Sequence, residues 1–116
     1  MKLLAITVAL FALAPDATRR PPTRMQVSAT EYELALSRRA VKQGRAIIEL
    51  VNLGEDPHDL ALRRNAKGAR TYRTKVILHG QTATLSVRLY PGRYTLWCGV
   101  GHHRHEGMVA TLTVRR

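Results

Sequence analysis

From Met25 onward, the apolar residues of this chain follow a period of two, and no segment sustains the period of a helix. Ala83, Leu85, Val87 and Leu89 alternate with Thr84, Ser86 and Arg88, the pattern of a half-buried strand. Tyr94, Leu96 and Cys98 share one face of the next segment, with Thr95 and Trp97 on the other, and Ala110, Leu112 and Val114 make a last strand. Arg45 to Asn52 (RAIIELVN) reads as a strong strand. Val27 and Ala29, then Tyr32, Leu34 and Leu36, make one or two short ones. Val41-Lys42-Gln43-Gly44, His79-Gly80 and Pro91-Gly92 read as turns, and 63–70 (RRNAKGAR) as a polar loop. Short strands at close spacing predict an all-β sandwich or barrel.

The 116 residues suffice for one domain with one core, and 45% hydrophobic content argues against a disordered chain. Aromatics are few, so aliphatic residues must fill the core. The N-terminus is Met1-Lys2 followed by an almost wholly apolar run, Leu3 to Ala14. A charged start and a short apolar stretch is the pattern of an export signal, whereas a membrane span needs roughly 20 apolar residues. The expected organisation is a signal peptide over 1–17, cut near Ala14 or Ala17, a proline-rich linker over 18–24, and a domain over 25–116. No transmembrane helix is expected once the signal is removed. With no cysteine near the cut, a lipoprotein anchor is not expected either. The expected location is the periplasm, the cell surface or the exterior.

Net charge is +11, from 19 Lys and Arg against 8 Asp and Glu. That sign favours anionic partners, acidic proteins among them. The basic residues are scattered in doublets such as Arg38-Arg39 and Arg63-Arg64, without a basic stripe interleaved with stacking aromatics, so nucleic acid is not the expected partner.

The chain's single cysteine cannot form an internal disulfide, and an odd thiol in an exported protein is expected to be engaged otherwise. It opens the stretch Cys98-Gly-Val-Gly-His102-His103-Arg-His105-Glu-Gly-Met108. A thiolate, two neutral imidazoles and a weak thioether are the ligand set of a blue-copper centre: sulfur suits Cu(I), and imidazole suits both oxidation states. Cys98, Met108 and one loop histidine supply three of the four. His58, in the loop after RAIIELVN, is the candidate for the fourth. Singly, each has a plainer reading: Cys98 as a buried core thiol, Met108 as core filling, His58 as a loop residue. His79 stands apart in a turn and reads as a surface residue.

With VNLGEDPHDLAL, PGRYTLWC and CGVGHHRHEGM in this order, residues 25–116 resemble the cupredoxin family. The resemblance implies a Greek-key β-sandwich with one copper ion at one end, held by an upstream histidine and by Cys, His and Met of the last loop. His58, Cys98, His103 and Met108 carry over as ligands. His103 is preferred by the family's Cys-to-His spacing, with His102 as the alternative. Asp59 falls where the family ties the two ligand loops together by hydrogen bonds, and its carboxylate is expected to lower the reduction potential. Trp97 falls where an aromatic can lie at the surface near the metal. The implied function is one-electron transfer by a monomer to a redox partner protein, without enzymatic activity. The alternative is copper delivery or storage, with His102 and His105 aiding transfer.

Overall fold

The computed structural model describes residues 1–10 and 19–116. The expected cleavage positions, Ala14 and Ala17, lie outside the described residues. Residues 1–10 are exposed and carry no regular structure. Among the described residues no helix is long and apolar enough to cross a membrane.

Among the described residues, nine strands form two facing sheets. The first contains β1 (Thr23–Thr30), β2 (Glu33–Leu36), β4 (Gly44–Asn52) and β7 (Thr82–Leu89), in the order β2-β1-β4-β7. The second contains β3 (Ala40–Lys42), β5 (Ala61–Arg64), β6 (Thr71–Arg73), β8 (Gly92–Trp97) and β9 (Val109–Arg115), in the order β3-β9-β8-β5-β6. Both sheets are mixed: β1 runs parallel to β4 and β3 parallel to β9, while the other pairs are antiparallel. Successive strands cross repeatedly from sheet to sheet, giving the Greek-key sandwich expected from the alternation and the resemblance.

The alternation does the packing. Ala46, Ile48 and Leu50 of β4 and Leu85, Val87 and Leu89 of β7 face Tyr94 and Leu96 of β8 and Leu112 and Val114 of β9, all buried. Fully burying one such aliphatic side chain contributes about 1.5–3 kcal/mol.

The same period carries past the strand ends into chemistry. Cys98 is the next inward position after Tyr94 and Leu96. Met108 is in phase with Ala110, Leu112 and Val114, and Asn52 with Ile48 and Leu50. All three are fully buried at one pole of the sandwich, beneath the loops 31–32, 53–60, 74–81 and 98–108.

Two expectations need correction. Val41-Lys42-Gln43-Gly44 is not wholly a turn: Ala40–Lys42 is an edge strand whose buried Val41 pairs with Val114, and only Gln43 separates it from β4, which begins at Gly44. The loop expected over 63–70 begins only at Asn65, because Arg63 and Arg64 pair with Thr95 and Tyr94 of β8. Truncating Leu96, fully buried two residues before Cys98, should cost about 2–5 kcal/mol. The exposed Ser86→Ala change on β7 should stay within about 0.5 kcal/mol. Urea denaturation of the metal-free protein checks both.

Candidate metal centre

Three of the four expected donors converge. The ligating atoms of His58, Cys98 and His103 all lie within 4.8 Å of one another. Cys98 Sγ is 3.8 Å from His58 Nδ1 and 3.7 Å from His103 Nδ1. Metal–sulfur and metal–nitrogen bonds of roughly 2.3 and 2.0 Å, opening at about 120°, would set sulfur and nitrogen about 3.7 Å apart. The pocket is therefore of the right size for one ion bound by two imidazoles and a thiolate. The fourth expected donor, Met108, is fully buried, and its backbone is locked to Cys98 and His103: Cys98 N–H donates to Met108 C=O, and Met108 N–H to His103 C=O, both at 3.1 Å.

Each loop is held by its own hydrogen bonds. The buried Asn52 donates from Nδ2 to the carbonyls of Asp56 and Ile77 and accepts Gly54 N–H at Oδ1. His58 exchanges both backbone hydrogen bonds with Ile77, at 3.0 and 2.8 Å. Asp59 reaches across and accepts Gly99 N–H at 2.6 Å, so the loop of His58 and the loop of Cys98 are joined through a carboxylate. A Cβ at position 99 would sit 2.6 Å from Arg73 Nη1, the movable end of a long side chain, and about 3.4 Å from the Asp59 carboxylate, so a larger residue there would first displace Arg73.

The electrostatics are uneven. Burial pushes the Cys98 thiol above its ordinary value, partly offset by backbone N–H donors. Glu31, in the turn between β1 and β2, is drawn down to about 2, chiefly by the N–H of Asp56 and further by His58 and the N–H of Glu55, against some desolvation. Its Oε1 lies 2.9 Å from His58 Nε2. Asp56 Oδ2 lies 3.4 Å from His103 Nε2, and its charge raises the Tyr32 phenol. The Tyr32 ring packs against the imidazole of His103, with centroids 5.1 Å apart.

The profile of the cupredoxin-like domain matches residues 2–114. The chain belongs to the cupredoxin family. Its fold is similar to that of a dithionite-reduced auracyanin from the photosynthetic bacterium Roseiflexus castenholzii (TM-score 0.68, 16% identity, 81% of this chain and 98% of that one). It is similar too to auracyanin A, a blue copper protein of Chloroflexus aurantiacus (TM-score 0.64, 14% identity, 82% and 100%). A multi-copper oxidase from Pediococcus acidilactici aligns over 99% of this chain but only 30% of its own length (TM-score 0.56, 16% identity). No curated protein matches in sequence. One mononuclear copper ion is the cofactor that this family and this donor set take.

The other histidines of this cupredoxin stand apart. His102 and His105 are exposed, their rings 6.4 Å from each other, and neither joins the donor cluster. His79 is exposed and bonds through Nδ1 to the Gly54 carbonyl. Trp97 is half-buried, with two guanidinium groups over its ring, those of Arg104 at 4.6 Å and Arg73 at 5.6 Å from the centroid. Glu31, Asp56 and Tyr32 were not anticipated. Only the absence of a side chain at Gly54, where Glu31 inserts, is a trace of them in the chain.

The raised Cys98 thiol makes stability depend on pH. A group whose value rises on folding favours the protonated native state. Its contribution is intact below the ordinary value of 9.0 and is lost as pH climbs toward the higher native value. The urea midpoint of the metal-free protein should therefore fall above about pH 9, and Cys98→Ala should reduce that fall.

Proposed function

We propose that this cupredoxin is an electron carrier with a type-1 copper site whose ligands are His58, Cys98, His103 and, as weak axial donor, Met108. The observation that carries this is the convergence of two Nδ1 atoms on one buried thiol at 3.7–3.8 Å. A trigonal His2Cys set with a thioether nearby is the arrangement of blue-copper electron-transfer sites. Bound copper supplies a one-electron couple between Cu(I) and Cu(II). The residues supply fixed geometry: each ligand loop is closed by backbone hydrogen bonds and tied to the other through Asp59. A site that keeps its shape needs little rearrangement when its charge changes by one. Nothing in this donor set provides a substrate pocket, and the reading is of a carrier rather than an enzyme.

The proposed layout is an export signal over 1–17, a linker over 18–24 and the copper domain over 25–116, acting outside the cytoplasm as a monomer. His103, with its side chain 13% exposed, is the ligand nearest solvent and the proposed exit for the electron. Trp97 is a second route, being bonded through the chain to Cys98. Beside it runs a groove lined by Arg63, Arg64, Lys67 and Arg104 and by no carboxylate. Glu55, Asp56 and Glu106 border the His103 end, so an acidic redox partner would be repelled there and attracted to the groove. A second reading, copper delivery, draws support from the exposed pair His102 and His105 on the ligand loop.

Two measurements test the proposal. The copper-loaded protein should show an intense visible band from the thiolate–copper bond, which Cys98→Ser abolishes. His103→Gly should lose the band and regain it with added imidazole, while His102→Gly and His105→Gly keep it. A nearly colourless wild-type protein that readily exchanges Cu(I) would favour delivery instead. In the second measurement, oxidation of hexacyanoferrate(II), an anionic donor, should slow as ionic strength rises, because screening sets in beyond about 8 Å at physiological salt. The Arg63→Glu/Lys67→Glu double variant should lower the low-salt rate and flatten its salt dependence. A rate indifferent to that variant would place transfer at His103.

A further inference from the structure

The β1–β2 turn lies far from the ligand loops in sequence, yet it enters the site. Glu31, 27 residues before His58, lays its carboxylate against that imidazole and against the backbone of the His58 loop. Oε1 accepts Asp56 N–H at 2.7 Å and meets His58 Nε2 at 2.9 Å, and Oε2 accepts Glu55 N–H at 3.1 Å. Room for it exists because position 54 has no side chain: a Cβ there would lie 2.8 Å from Glu31 Cδ.

An ionised carboxylate can only accept hydrogen bonds. With Glu31 ionised, the 2.9 Å contact requires the proton of a neutral His58 to sit on Nε2. The lone pair is then on Nδ1, the nitrogen that faces Cys98 Sγ. A carboxylate on the far nitrogen of an imidazole fixes the ring's tautomer and orientation and raises its basicity as a ligand.

We propose that Glu31 is a positioning residue for the metal centre: it holds His58 as the Nε2–H tautomer with Nδ1 ready to ligate, and its negative charge favours Cu(II) over Cu(I). The inference rests on His58 being a ligand. Its mechanism is separate from that of Asp59, whose carboxylate bonds the backbone N–H beside Cys98. Asp56 repeats the theme at longer range on His103, so both imidazoles have a carboxylate on the nitrogen turned away from the thiol.

Two variants separate position from charge. In Glu31→Gln the amide oxygen can still accept from His58 Nε2–H and Asp56 N–H, but the charge is gone. In Glu31→Ala both are lost. The first readout is 15N NMR of the His58 ring in the metal-free protein. Wild type and Glu31→Gln should show the Nε2–H tautomer, and Glu31→Ala a mixture of tautomers. The second is the reduction potential of the copper-loaded protein at pH 7. Glu31→Gln should lower the preference for Cu(II) about tenfold, a rise of about 59 mV for one electron. Glu49→Gln, a half-buried change on the outward face of β4, should leave it unchanged. Wild-type His58 found as the Nδ1–H tautomer, or a wild-type potential in Glu31→Gln, would overturn the proposal. Absence of the visible band in wild type would instead defeat the ligand reading, while the NMR result on the metal-free protein stands by itself. If Glu31→Ala fails to fold, Glu31→Gln and the wild-type spectrum still decide.

Discussion

A buried imidazole must have a partner for each of its nitrogens, and His58 is wholly buried. On one side stands Glu31, on the other the thiol of Cys98. Much of the pole's architecture can be traced from this requirement. Glu31 can reach the ring only because Gly54 leaves space, and the loop containing Gly54 keeps its shape because Asn52 satisfies two of its backbone groups and ties it to Ile77 of the neighbouring loop. No buried side-chain nitrogen or oxygen among the described residues lacks a hydrogen-bond partner. A polar network in low dielectric is stabilising only when it is complete, and this one is.

The apolar half of the pole obeys a simpler rule. Strand pleating sends every second residue inward, and Cys98, Met108 and Asn52 are the positions reached when the runs of β8, β9 and β4 continue to their ends. The sandwich therefore delivers a thiol, a thioether and an amide to one place by period alone. Only the imidazoles are brought by loops, and those loops carry the hydrogen bonds that period cannot provide.

This division explains what could be read from the chain. The long strands β4, β7, β8 and β9 were legible because their alternation is strong, and Cys98 because it continues that of β8, whereas Met108 was legible only from the donor set and the family motif. The edge strands β3 and β6 have three residues each and little apolar content, so nothing local distinguishes them from turns. The loop histidines were legible as residue types, and the family spacing preferred His103, the one of the three neighbours that the fold brings beside Cys98 Sγ. Glu31 and Asp56 were not legible. Their roles arise from contacts across the fold, and an acidic residue in a polar turn looks locally like any solvated charge.

Charge is also divided along the molecule. Five of the eight Asp and Glu residues, Glu31, Glu55, Asp56, Asp59 and Glu106, belong to the loops of the metal pole. Arg20, Arg38, Arg39, Lys42, Arg115 and Arg116 gather toward the opposite end, where β4 begins and β9 finishes. A body charged this way has a large dipole moment along its length as well as a net charge. In the field of any charged surface it feels a torque before it feels contact. An anionic surface is met by the basic end or by the basic groove beside Trp97, with the acidic loops around His103 turned toward solvent, and a cationic surface is met by those loops.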